Sequence, residues 1–135
     1  MPFASPPIDR LPQLLITDDD RDFRDSLAEA LARRGFGLLL AGDGCEALDI
    51  IRTQPVHLML VDMHMPRLTG LETLASLRKL EFSTPCILMS AALNENIVDQ
   101  AERLSTTTVL AKPFSLQTIT AAIRHILFDR YGWSS

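Results

Sequence analysis

The chain has 135 residues, enough for one compact domain and too few for two of ordinary size. Its 13 basic residues against 17 acidic ones leave a net charge of -4. That balance argues against a nucleic-acid-binding face and against an anionic membrane surface as target, since both need a basic patch.

The first segment, residues 1–12, carries Pro2, Pro6, Pro7 and Pro12, too many for a helix or a central strand, and reads as a disordered Pro-rich tail. Met1–Pro7 has no basic charge and no apolar core, so it does not read as a signal peptide. No apolar run approaches the ~20 residues needed to span a bilayer. Cys45 and Cys86 stand far apart, with no His or second Cys at ligand spacing, and read as reduced structural thiols in a cytoplasmic setting.

From residue 13 to 130 two kinds of segment alternate. Short apolar runs fall at Leu14–Thr17, Phe36–Ala41, His57–Val61, Cys86–Ser90 and Thr107–Ala111. They have strand length and little apolar–polar alternation, as expected when helices cover both faces of a sheet. Helical periods lie between them. Phe23, Leu27, Ala30, Leu31 and Arg34 form the first, stopped by Gly35. Ala47, Ile50 and Ile51 mark the second, and Leu71, Leu74 and Leu77 the third. Ile97, Ala101 and Leu104 mark the fourth, with Asn94 as N-cap. Leu116, Ile119, Ile123, Ile126 and Leu127 mark the last, capped by Ser115. Gly132 breaks this period, and residues 131–135 read as a C-terminal tail or the start of a linker.

Five strand–helix pairs in strict alternation predict an α/β fold. The economical form is a three-layer, doubly wound, five-stranded parallel sheet of order 2-1-3-4-5, of the flavodoxin-like (βα)5 type. Chemistry in such sheets gathers outside the carboxyl ends of the strands. Those ends read Thr17-Asp18-Asp19-Asp20, Val61-Asp62-Met63-His64-Met65-Pro66, Met89-Ser90-Ala91 and Ala111-Lys112-Pro113-Phe114. Clustered carboxylates repel and raise one another's pKa unless a cation intervenes. Oxygen donors from Asp, backbone carbonyl and water suit Mg2+. A carboxylate beside that ion can attack phosphorus, an ammonium can offset charge on the phosphoryl oxygens, and a hydroxyl can bond one of them.

This combination resembles the receiver domain of two-component response regulators, the CheY-like superfamily. Leu14–Asp19, Leu60–Pro66 with Gly70, Met89–Ala91 and Lys112–Phe114 carry the resemblance, which spans about residues 12–130. It implies that Asp62 is the phosphoacceptor and that Asp18, Asp19 and Asp62 hold Mg2+ together with the backbone carbonyl of His64. It also implies that Ser90 turns toward the phosphate, that Lys112 pairs with one of its oxygens, and that the bond before Pro113 is cis. Three places depart from the family pattern. Val109 stands where an aromatic switch residue is usual, and Ser105–Thr108 replaces a Gly-Ala loop. Arg67 replaces a frequent small residue.

Other residues have plainer readings. Asp20, Asp22 and Asp25 suit the first turn of a helix. His57 and His125 fall within apolar periods and read as packed or edge histidines rather than ligands. The methionines near Asp62 fill core and loop. Tyr131 and Trp133 cover the end of the last helix.

The implied function is a bacterial signalling switch rather than an enzyme, with self-catalysed phosphotransfer and autodephosphorylation. The expected partners are a sensor histidine kinase or phosphotransfer protein and an output domain in a longer protein, with a homodimer left open. Two alternatives stand beside it. One is a degenerate receiver acting as a phosphorylation-independent interaction module. The other is an aspartyl-nucleophile phosphatase, which would usually carry a second acid where His64 stands.

Overall fold

The computed structural model describes residues 6–105 and 107–134; Met1–Ser5, Thr106 and Ser135, parts of the two tails and of the 105–108 loop, lie outside the described residues. The elements run β1 (Gln13–Thr17), α1 (Arg21–Ala32), β2 (Gly37–Ala41), α2 (Gly44–Thr53), β3 (Leu58–Asp62), α3 (Gly70–Lys79), β4 (Cys86–Ser90), α4 (Glu95–Glu102), β5 (Thr107–Ala111) and α5 (Leu116–Tyr131). All strand pairs are parallel and the order is β2-β1-β3-β4-β5. The expected doubly wound α/β sheet is therefore the observed one.

Alternation along the strands builds two cores. Leu14, Ile16, Leu58, Leu60, Ile87 and Met89 face α1 and α5, where Leu27, Leu31, Ile119, Ile123 and Leu127 meet them. Leu15, Met59, Val61 and Leu88 face the other way, onto Ala47 and Ile51 of α2, Leu74 and Leu77 of α3 and Ala101 of α4. A fully buried leucine such as Leu58, Leu60 or Leu74 contributes about 1.5–3 kcal/mol. Both faces of β3 and β4 are covered along their whole length. The outer strands β2 and β5 are only partly covered, because each has a neighbour on one side alone.

The helices begin where polar side chains satisfy free backbone N–H groups. Asp20, Asp43, Asn94 and Ser115 cap α1, α2, α4 and α5. Thr69 and Glu72 form a reciprocal capping box at α3. Gly132 ends α5 in the left-handed region, at φ 68°. Among the acids read as first-turn residues, Asp20 is the cap and Asp22 lies in the turn. Asp25 sits beyond it and pairs with Arg21.

At the amino ends of the strands, residues 6–12 form neither helix nor strand. His57 is buried there. The Gln13 N–H donates to His57 Nδ1 at 2.8 Å, which puts the ring proton on Nε2, 3.1 Å from the Pro7 carbonyl oxygen. The Tyr131 hydroxyl donates to the His57 carbonyl at 2.6 Å, and Trp133 packs against Phe36. His125, by contrast, is exposed, because it falls off the stripe made by Ile119, Ile123 and Leu127. Cys86 is buried, which pushes its thiol up to about 11, whereas Cys45 is exposed. Among the described residues no helix is long and apolar enough to cross a membrane.

Candidate functional site

Asp18 follows β1 and continues its pleat beyond Leu14 and Ile16. Asp62 is the last residue of β3 and continues the pleat of Leu58 and Leu60. Both carboxylates are buried. Lys112 follows β5 and reaches across between them. Its Nζ lies 2.8 Å from Asp18 Oδ2 and 3.0 Å from Asp62 Oδ1. The backbone holds this reach in place, for the Lys112 N–H donates to the Ser90 carbonyl at 2.8 Å and the Met63 N–H to the Met89 carbonyl at 2.8 Å.

Asp18 is held at four points. Its N–H donates to the Ala41 carbonyl, and its own carbonyl accepts from Arg24 Nη1 at 3.2 Å. Its Oδ1 accepts from the Asp20 N–H at 2.9 Å, and Lys112 takes the other oxygen. Asp19, next to it, is exposed. Oxygens of Asp18, Asp19 and Asp62 lie within 4.8 Å of one another.

Those residues fit a small hard cation. Mg2+ binds oxygen at 2.0–2.1 Å in an octahedron, so its ligands stand roughly 3–4 Å apart. Three carboxylate oxygens in one small volume, with no nitrogen or sulfur among them, are that kind of donor set. The electrostatics agree. Burial pushes the Asp62 carboxyl above its usual value, the Lys112 hydrogen bond pulls it back, and the Asp18 charge raises it again. Burial works against the Lys112 charge, but hydrogen bonds and charge from Asp18 and Asp62 outweigh it and raise the ammonium above its usual value. One lysine facing this group of acids leaves an excess of negative charge, which a divalent cation would offset.

Ser90, at the end of β4, is fully buried. Its Oγ accepts from the Ala92 N–H at 3.1 Å and lies 3.5 Å from Nε2 of the exposed His64. Gly70 is required by close packing. A Cβ there would come within 2.5 Å of the Asp62 carbonyl oxygen and 2.7 Å of Leu88 Cδ1. Arg67 adopts φ 68° and pairs with Asp43, the α2 cap, so it ties the loop after Asp62 to a neighbouring helix. Val109 is half-buried against the α2–α3–α4 core. The Lys112–Pro113 peptide bond is cis.

The structure thus brings Asp18, Asp19, Asp62 and Lys112 together, with Ser90 and His64 at the adjacent strand end. Two further contributors carry no local signal along the chain. Arg24 reaches the Asp18 carbonyl, and the Phe23 ring lies under Lys112, 4.0 Å from its Nζ. Both look locally like ordinary positions of the first helix.

The chain has counterparts of similar sequence and fold among known proteins. The sequence profile of the response regulator receiver domain matches residues 14–124. The transcriptional regulatory protein CpxR of Escherichia coli is 36% identical over 122 residues, covering 90% of this chain and 51% of that protein. The chain therefore spans about half the length of the curated relatives it matches. The solved receiver domain of the Francisella response regulator 1452 superposes with a TM-score of 0.79 at 30% identity, covering 85% of this chain and 95% of that one. A Burkholderia pseudomallei response regulator solved with a phosphorylated aspartic acid, a calcium ion and citrate superposes with a TM-score of 0.76 at 28% identity, covering 82% and 65%.

Proposed function

The chain belongs to the response regulator receiver domain family, and on that premise we propose that it is a phosphorylatable switch whose acceptor is Asp62. The observation that carries this reading is the position of Lys112 Nζ, 2.8 Å from Asp18 and 3.0 Å from Asp62, within a group of carboxylate oxygens 4.8 Å or less apart. The donor is a phosphohistidine on a sensor kinase or phosphotransfer protein.

In the step proposed, an Asp62 carboxylate oxygen forms a bond to phosphorus in line with the bond that breaks. The breaking bond is the donor's P–N bond; its electron pair goes to the imidazole nitrogen, which takes up a proton. Lys112 offsets charge on the phosphoryl oxygens, and Ser90 Oγ is the hydroxyl within reach of one of them. Asp18, Asp19 and Asp62, with the His64 carbonyl, would hold Mg2+. When bound, that ion supplies further charge neutralisation to the phosphoryl group. The solved Burkholderia relative with its phosphorylated aspartic acid and calcium ion supports the assignment.

Phosphorylation would draw Lys112 and Ser90 toward the new group and bias a two-state equilibrium in the loops and in the face formed by α4, β5 and α5. An output domain in a longer protein, or a homodimer, would read that change, and the setting we propose is cytoplasmic. Val109 carries no ring, so in this reading the readout does not run through an aromatic side chain at that position.

Labelling with radioactive acetyl phosphate and Mg2+ tests this reading. The wild-type chain should take up label and Asp62→Asn should take up none. Label retained by Asp62→Asn would remove Asp62 as acceptor, and turnover of a generic phosphate ester would favour the phosphatase alternative.

A further inference from the structure

Lys112 has a third neighbour beside its two carboxylates. Its Nζ stands 4.0 Å from the centroid of the Phe23 ring. That ring meets the ring of Phe114 edge-on, with centroids 6.0 Å apart and planes at 79°. Phe23 is the third residue of α1, and its N–H donates to the Oδ1 of the Asp20 cap at 3.1 Å. The cap thus fixes the backbone under the ring, and Phe114 steadies the ring from the side.

The face of an aromatic ring carries negative charge density and attracts an ammonium. It also walls off one side of the ammonium from water, so the N–H groups are turned toward Asp18 and Asp62. A lysine has a flexible four-carbon stem that loses rotamer freedom whenever its head is fixed. A ring that holds the head in advance reduces the loss left for the moment of reaction. An aliphatic side chain would supply the wall without the charge density.

We propose that Phe23 is a positioning residue for phosphotransfer: its ring face holds Lys112 Nζ between Asp18 and Asp62, in place to offset charge on the incoming phosphoryl oxygens. This inference rests on the reading of Asp62 as acceptor.

A fluorination series tests it. Phe23 is replaced at that site alone by mono-, di- and trifluorophenylalanine, which keep the ring's shape and weaken its charge density stepwise. Two quantities are read: affinity for beryllofluoride, a phosphoryl mimic, in the presence of Mg2+, and the rate of acetyl phosphate labelling at saturating donor. Both should fall with each fluorine, to a loss of about two- to tenfold at the end of the series. Every member of the series should remain folded at the assay temperature, with only a small drop in thermal midpoint, and the Mg2+ affinity of the unphosphorylated chain should stay level. Phe23→Leu should match the end of the series and Phe23→Tyr should stay near wild type.

A flat series alongside normal wild-type uptake overturns the inference alone, as does equal behaviour of Phe23→Leu and wild type. A wild-type chain that takes up no beryllofluoride overturns the reading of Asp62 and this inference with it.

Discussion

The two ends of β3 differ in how well their polar groups are satisfied. At the amino end, His57 is buried with both ring nitrogens facing backbone partners and its carbonyl bonded by Tyr131. At the carboxyl end, Asp62 is buried beside Asp18 and near Asp19, with one lysine between the buried pair. Next to that cluster, Thr17 Oγ1 is buried with no hydrogen-bond partner among the described residues. One end of the strand has its buried polar groups paired, and the other leaves negative charge in excess. Proteins commonly give up stability in this way at a functional site.

The largest stability effect should come from the satisfied end. His57→Leu strands the Gln13 N–H and the Pro7 carbonyl, at about 1–3 kcal/mol for each buried group left unpaired. Urea denaturation should show the loss as a lower midpoint. Labelling by acetyl phosphate should stay within about twofold of wild type, as expected for distant, uncoupled sites. Lost labelling in a folded His57→Leu chain would show that the two ends are coupled, and the comparison would break.

The strand and helix positions were legible because burial on both faces writes continuous apolar runs, and caps such as Asn94 and Ser115 are local signals. Boundaries shifted by a residue where a long-range contact decided them. His57 falls outside β3 while Asp62 falls inside it, and β2 begins at Gly37 although Phe36 is buried in the core. The acids and the lysine of the site were legible because parallel topology dictates that strand ends converge. The Phe23 ring under Lys112 and the Tyr131 hydroxyl on His57 were not, because no local spacing relates residues so far apart in the chain.

At the unsatisfied end, substitutions should stabilise. Burial raises the Asp62 carboxyl above 3.8, its ordinary value. The folded chain then binds the proton more tightly than the unfolded chain does. That stability is fully present below the ordinary value and is lost as pH rises through the folded one. In metal-free buffer at neutral pH, Asp62→Asn should therefore be more stable than wild type, on the order of 1 kcal/mol. The advantage should fade on acidification and shrink when Mg2+ is added to both. A melting-temperature series over pH, with and without Mg2+, checks both signs. A less stable Asp62→Asn at neutral pH would contradict the view of this end as strained.

Thr17→Val should give a smaller gain, about 0.5–1 kcal/mol, because it replaces an unpaired buried hydroxyl with a methyl of the same shape. Urea denaturation of the metal-free chain reads it. Destabilisation by Thr17→Val would mean that the hydroxyl has a partner in solution.

The most direct test of the site is chemical mapping of the phosphoryl group. The chain is treated with acetyl phosphate and Mg2+, then with borohydride, which reduces an aspartyl phosphate to homoserine, and the modified residue is located by peptide mass analysis. We expect homoserine at position 62 and only when Mg2+ is present. Homoserine at Asp18, Asp19 or any other aspartate, or none under conditions where the chain is folded and binds Mg2+, would contradict the assignment of Asp62.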